Sequence, residues 1–260
     1  AIYGDLELSV IDELPPGRKK IKSRVLSGGK KDNKEVYATA NEHLKNESQI
    51  FVVCPYIEES ENSDIKAAEN VFKLYESEFE DYNVGLLHGK MKPDEKEHKM
   101  LQMQNGEIDI LVSTVVIEAG IDITNATLMI IESAERFGLN QLHQLRGRVG
   151  RGIKQSECIF HITEGKSNSK ITIDGQARLK AIEEHDDGFK LSELDLQIRG
   201  EGKVTGTTQS GLSDLKIANL RTDYEILENS KDYFSNINDV DIKNEFILII
   251  IFIIITKVSR

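Results

Sequence analysis

Short apolar runs alternate with longer amphipathic segments along most of this chain. Ile50–Cys54 is apolar throughout and reads as a buried strand, whereas Asp64–Phe79 carries Ile65, Ala68, Val71, Phe72 and Tyr75 at helical spacing. Asn83–Leu87 is the next strand. Pro93–Gln104 opens with a first-turn proline and acids, and Asn105-Gly106 closes it, so a helix is predicted there. Ile108–Thr114, Thr127–Ile131 and Glu157–Ile162 read as strands, Leu139–Arg146 as a short helix and Asp174–Glu184 as a further helix. Upstream, Leu14-Pro15-Pro16-Gly17 signals a turn or linker ahead of the β-competent stretch Ile21–Leu26.

Apolar strands in alternation with amphipathic helices predict an α/β fold, a parallel sheet with helices on both faces. Such sheets bind ligands beyond the carboxyl ends of their strands. That singles out Pro55, His88-Gly89, Thr114, Glu132 and Thr163. The texture changes after Ile162: GKSNSK is loop-like, and Leu191–Leu212 is rich in Gly and Thr without a lasting period. The predicted organisation is therefore a linker and leading strand over 1–30, an α/β lobe over 31–165, and a C-terminal module over 166–260.

Charge narrows the partners only slightly. With 44 acids against 33 bases the net charge is −11, which argues against a surface coated in basic patches but leaves room for a local basic face. Cys54 and Cys158 lie far apart inside apolar runs, the setting of buried reduced thiols rather than of a zinc or redox motif. The acidic start, AIYGDLELSVIDELPPG, lacks the order of a signal peptide, so a cytoplasmic chain is expected. Phe246–Ile255 is a run of ten apolar residues, about half of what a bilayer span requires. It reads as a buried tail rather than a membrane anchor.

A phosphate loop needs two glycines five positions apart followed by Lys and Ser or Thr. Gly165-Lys166-Ser167 has Phe at position 160, and Gly29-Lys30 and Gly89-Lys90 lack the hydroxyl, so the chain holds no complete loop. The strongest positive signal is Gln144-Leu145-Arg146-Gly147-Arg148-Val149-Gly150-Arg151. From Arg136 to Lys154 there are five Lys and Arg residues and no acid. Arg148 and Arg151 would share a face if this segment were helical, and planar guanidinium groups suit the charge on a transferring phosphoryl group. A solvated basic loop is the alternative. A second signal is Val112-Ser113-Thr114 followed by Glu118-Ala119-Gly120-Ile121-Asp122, where strand-end hydroxyls suit a phosphate backbone and Gly120 lets Asp122 fold back. Glu183-Glu184-His185-Asp186-Asp187 is expected to be a solvated helix end, not a metal site, because adjacent helical positions face different ways. His43, His98 and His161 are expected to be structural, and the acidic clusters Glu58–Glu61 and Glu76–Asp81 solvated.

QLRGRVGR after VSTVVIEAGID resembles motifs VI and V of superfamily-two helicases, with His88-Gly89-Lys90-Met91 similar to the element before motif V. VIDELPPGRKKI, VVCPYIEESE, VGLLHGKMKPDEKE, AERFGLNQLHQLRGRVGRG and DLQIRGEGKVTGTTQSG, in that order, resemble the RecG family of branched-DNA helicases from about residue 3 to about residue 230. The resemblance implies a second RecA-like lobe followed by a helical hairpin and an irregular translocation loop, the last shared with transcription-repair coupling factors. A wedge domain and a first RecA-like lobe with the phosphate loop and Mg²⁺-binding acids would precede Ala1. It implies ATP and Mg²⁺ as cofactors, branched or duplex DNA and the missing domains as partners, and no membrane. Arg148 and Arg151 would stabilise the γ-phosphate, with Gln144 nearby. Gly120 and Asp122 would couple nucleotide to DNA, while His88, Gly89 and Thr114 would face the DNA backbone. Arg178, Arg199 and Gln209 would link hydrolysis to movement. The family pattern has Pro and Arg where this chain has Glu201 and Thr208, which weakens the expected cationic character of that loop. The chain alone is expected to be inactive. The competing readings are a non-catalytic RecA-like module that holds nucleic acid or protein, and a truncated product with no role of its own.

Overall fold

In the computed structural model the described residues are 19–55, 61–114, 123–162 and 171–199, and all fall within one compact unit. Among them six strands form one sheet: β1 (Lys22–Leu26), β2 (Gln49–Val53), β3 (Val84–Leu87), β4 (Ile110–Ser113), β5 (Ala126–Glu132) and β6 (Glu157–His161). The order is β1-β6-β5-β2-β4-β3 and every pairing is parallel. The helices are α1 (Lys30–Lys45), α2 (Glu61–Glu78), α3 (Pro93–Gln104), α4 (Leu139–Arg146), α5 (Ile173–Glu184) and α6 (Gly188–Arg199), with a 3₁₀ turn at Ala134–Arg136.

The strands β2, β4 and β5 are buried at every position because both sheet faces are covered. Alternate residues divide between two cores. Ile50, Val52, Leu128 and Ile130 pack with Val36, Ala40 and Leu44 of α1 and Ala68 and Tyr75 of α2. Phe51, Val53, Met129 and Ile131 pack with Met103 of α3, Leu142 of α4, Leu179 of α5 and Leu191 of α6. The connections β1→β2 and β2→β3 advance across the sheet with α1 and α2 on one face, whereas β3→β4 and β5→β6 return with α3 and α4 on the other. A change of face with each change of direction is what a constant crossover hand demands. Neighbouring strands β2 and β5 therefore send their connections to opposite faces, which makes their carboxyl ends the topological switch point of the sheet, the place where open α/β sheets bind ligands.

The expected parallel α/β architecture is present, and α3 and α4 begin and end where the pattern placed them. Two helices escaped it. In α1 the inward positions include Thr39 and Ala40 beside Val36 and Leu44, so the apolar stripe is faint. In α6, Leu191, Leu194 and Ile198 do keep helical spacing, but Asp195, only 5% exposed, interrupts the stripe, so the start of the stretch read as having no lasting period is helix up to Arg199. Both thiols are unpaired and buried, and burial pushes them well above the ordinary thiol range, so neither is a ready nucleophile. No helix among the described residues is long and apolar enough to cross a membrane. The apolar run 246–255 lies outside the described residues.

Candidate functional site

The arginine segment is built by α4 and the tight loop beyond its carboxyl end. Gly138 starts the helix, its N–H donating to Gln141 Oε1 at 3.1 Å. Leu139, Leu142 and Leu145 are fully buried. Past Arg146 the chain tightens, with Arg148 N–H donating to the Leu145 carbonyl at 3.0 Å, and buried Val149 plugs the core. Gly150 then adopts φ +77°, so Arg148 and Arg151 do not share a helical face as the spacing suggested. The left-handed turn lets the backbone pass Ile21, whose Cγ1 lies 2.9 Å from where a Cβ at Gly150 would be, and the same measure at Gly152 is 2.5 Å from the Thr124 carbonyl oxygen. Ile21 and Thr124 precede β1 and β5, so this loop is locked at the amino ends of those strands, not at the carboxyl edge. Gly150→Ala should destabilise by about 1–3 kcal/mol through strain and overpacking. Gly106 has nearly the same φ, +76°, with nothing within 4 Å of an added Cβ. Gly106→Ala should therefore cost less in denaturant titrations, and equal costs would remove the contact argument.

The basic island resolves into separate jobs. Arg146, 3% exposed, donates to the carbonyls of Ile182 and His185 at 2.8 and 2.9 Å and to His143 Nδ1 at 3.0 Å, and lies 3.1 Å from the Asp186 carboxylate. A guanidinium cannot accept, so His143 Nδ1 is the acceptor and carries no proton. Burial and the neighbouring Arg146 charge both lower the His143 pKa. Lys154 donates to the carbonyls of Asn46 and Glu47 at 2.8 and 3.2 Å and to Ser48 Oγ and Asn125 Oδ1 at 3.1 and 3.2 Å. These two cations are structural ties. Arg148 differs: it is half-buried, and its Nε is buried with no hydrogen-bond partner among the described residues. Arg151 and Gln144 are exposed.

At the carboxyl edge the structure brings His88, Gly89 and Thr114 together. Thr114 N–H donates to the Leu87 carbonyl at 3.2 Å, and Met91 N–H closes a turn on the His88 carbonyl at 3.1 Å. Gly89 is exposed, and His88 Nδ1 is buried without a partner among the described residues. On the hairpin, Arg178 of α5 also holds a buried, unpartnered Nε, and Arg199 ends α6. Gly120, Asp122 and Gln209 lie outside the described residues.

Arg146 had no role assigned from sequence, yet it joins α4 to the connection between α5 and α6. Its position seven residues after Leu139 and four after Leu142 places it on the buried stripe of α4, the signal that marks it. The segment Glu183–Asp187 is correspondingly more than a solvated helix end. Asp186 pairs with Lys20 at 2.5 Å as well as with Arg146, and Asp187 accepts the Phe189 N–H at 2.9 Å. No His, Cys, Asp and Glu cluster fit for a metal ion occurs among the described residues.

Residues 32–152 match the helicase conserved C-terminal domain family, and 185–250 match the C-terminal part of domain 3 of the ATP-dependent DNA helicase RecG. The chain is 48% identical over 227 residues to the ATP-dependent DNA helicase RecG of Synechocystis sp., covering 87% of this chain and 26% of that protein. The RecG of Haemophilus influenzae is 44% identical over 234 residues, covering 89% and 33%. The chain thus spans about a quarter to a third of these relatives. A solved structure of RecG bound to a three-way DNA junction superposes with a TM-score of 0.65 at 39% identity, covering 87% of this chain and 28% of that one. The parallel sheet, the arginine loop after α4 and both family matches agree that this chain belongs to the RecG family of superfamily-two helicases.

Proposed function

We propose that the chain is the second RecA-like lobe, residues 31–165, and the coupling module, residues 166–260, of an ATP-dependent motor that remodels branched DNA such as stalled forks and Holliday junctions. It works only against a first lobe that supplies the phosphate loop and the Mg²⁺ ligands. The observation that carries this reading is Arg148, a half-buried cation held in a rigid loop with an unsatisfied Nε. A buried donor left unpaired costs roughly 1–3 kcal/mol, so the guanidinium gains by turning towards an anion that arrives from outside the chain. ATP supplies a terminal phosphoryl group whose transfer spreads negative charge over its oxygens. Arg148 and Arg151 stabilise that charge, Gln144 lies one turn before Arg148 on α4, and Gly120 with Asp122 relays the state of the nucleotide towards DNA. At the carboxyl edge His88, Gly89 and Thr114 meet the DNA backbone, where the unpartnered His88 Nδ1 is consistent with an outside partner. Arg178, Arg199 and Gln209 link hydrolysis to movement, with Arg146 as the strut between α4 and the hairpin.

A relative solved on a three-way DNA junction supports branched DNA as the substrate class. With a net charge of −11, DNA contact has to come from local donors rather than from the field of the whole chain. The test is ATP hydrolysis by the 260-residue chain, alone and joined to a first RecA-like lobe. The chain alone should stay at background with or without DNA, and the joined protein should show DNA-stimulated turnover. DNA-stimulated turnover by the chain alone would overturn the reading.

A further inference from the structure

Among the described residues, a buried charged network at the ends of β5 and β6 is left unused by the motor reading. Glu132 is the last residue of β5 and is 9% exposed. Its Oε2 lies 2.6 Å from His161 Nδ1 at the end of β6, and its Oε1 lies 3.5 Å from the Tyr75 hydroxyl of α2. The other ring nitrogen of His161, Nε2, lies 2.9 Å from Asn33 Oδ1 in the first turn of α1. A carboxylate and an amide oxygen both accept, so this arrangement favours a ring that donates from both nitrogens, the protonated form of His161. Residues 128, 130 and 132 share a sheet face, and the first two are apolar core. A carboxylate thus ends an apolar row, at the carboxyl end of β5 where it neighbours β2.

The network adjoins a strained turn. Ser133, next to Glu132, has φ +51°, the left-handed region, which costs a non-glycine residue about 1–2 kcal/mol. That turn directs the chain into the 3₁₀ segment and then into α4. We propose that Glu132 and His161 form a charged clamp, closed by Asn33 and Tyr75, that holds the Ser133 turn and thereby positions α4 and the arginine loop in a pH-dependent way. Its consequence for turnover rests on the role given to Arg148; the clamp itself does not.

Burial alone would favour neutral His161, but the hydrogen bond and charge of Glu132, with Asp32 of α1 and Glu135 of the 3₁₀ turn, outweigh it and raise the pKa above the ordinary value. Tyr75, Tyr37 and Cys54 face Glu132 from α2, α1 and the end of β2, and burial together with the Glu132 charge keeps them neutral. A folded pKa above the unfolded one stabilises fully below the unfolded value, about 6.5, and the contribution disappears as pH rises through the folded value.

The test compares the 260-residue chain with His161→Gln between pH 5.5 and 8.5, by thermal midpoint and by amide hydrogen exchange corrected for its intrinsic pH dependence. The gap in stability should be widest at low pH and close as pH rises, by up to about tenfold in the folding equilibrium for each unit of raised pKa. Exchange should quicken selectively in 133–146 and 30–34. A pH-independent gap, or exchange that rises equally in β4, would overturn the clamp. If His161→Gln does not fold, the ring titration of His161 in the unaltered chain decides by NMR: a midpoint above about 6.5 supports the clamp and one at or below it overturns it. No readout uses nucleotide or DNA, so loss of the clamp leaves the motor reading standing, and an inactive joined protein leaves the clamp standing.

Discussion

Arg148→Ala, in the chain joined to a first RecA-like lobe, should lower DNA-stimulated ATP turnover by about 10³-fold or more, the range of an arginine finger. DNA affinity should change little. The reason lies in where the charge of Arg148 is needed. A group that meets its partner chiefly in the transition state changes kcat rather than binding, and the Arg148 Nε has no partner among the described residues to lose in the ground state. For the same reason the folded chain should tolerate the substitution, with a midpoint close to that of the unaltered protein. The measurement is steady-state hydrolysis beside a DNA titration. A variant that kept its turnover but lost DNA affinity would make this loop a DNA-binding patch.

Arg146→Ala, two residues away, should do the opposite. It strips partners from two carbonyls and from Asp186, whose side chain is 34% exposed and so partly hydrated. Breaking a buried ionic and hydrogen-bonded strut in this way costs about 3–5 kcal/mol, reduced here towards the lower figure by the exposure of Asp186. For a domain of this size that is on the order of 10 °C in thermal midpoint. Arg146→Lys should recover only part of it, because one ammonium cannot reproduce the planar fork that reaches Ile182, His185 and His143 together. Midpoints within a degree of the unaltered chain for both variants would show that the α4 to hairpin junction is held by packing alone.

The contrast between these two arginines shows how far the sequence can be read. Strand and helix alternation, buried runs such as 50–54 and the proline-led helix at 93 are local signals, and each appears in the fold. The faint stripe of α1, with alanine and threonine facing inward, and the buried Asp195 of α6 are readable only once the neighbouring surface is known. Arg146 and Arg148 look alike in a string of basic residues. What separates them is that Arg146 continues the row of Leu139 and Leu142 into the core, while Arg148 lies past the end of the helix. The left-handed Gly150, which breaks the helical face expected for Arg148 and Arg151, depends on Ile21, a contact across more than a hundred residues. The Glu132–His161 pair is visible in the sequence only as one strand-end acid and one ordinary histidine, because their meeting depends on the register of β5 against β6. Family membership, by contrast, is legible from the ordered segments alone.

The most direct test of the motor assignment is a structure of the joined protein with a non-hydrolysable ATP analogue and a three-way DNA junction. The Arg148 guanidinium should lie at charge-assisted hydrogen-bond distance, about 2.7–2.9 Å, from the terminal phosphate held by the first lobe, with His88 and Thr114 against the DNA backbone. Arg148 on a DNA phosphate, or turned to solvent with the nucleotide bound and the lobes closed, would contradict the account.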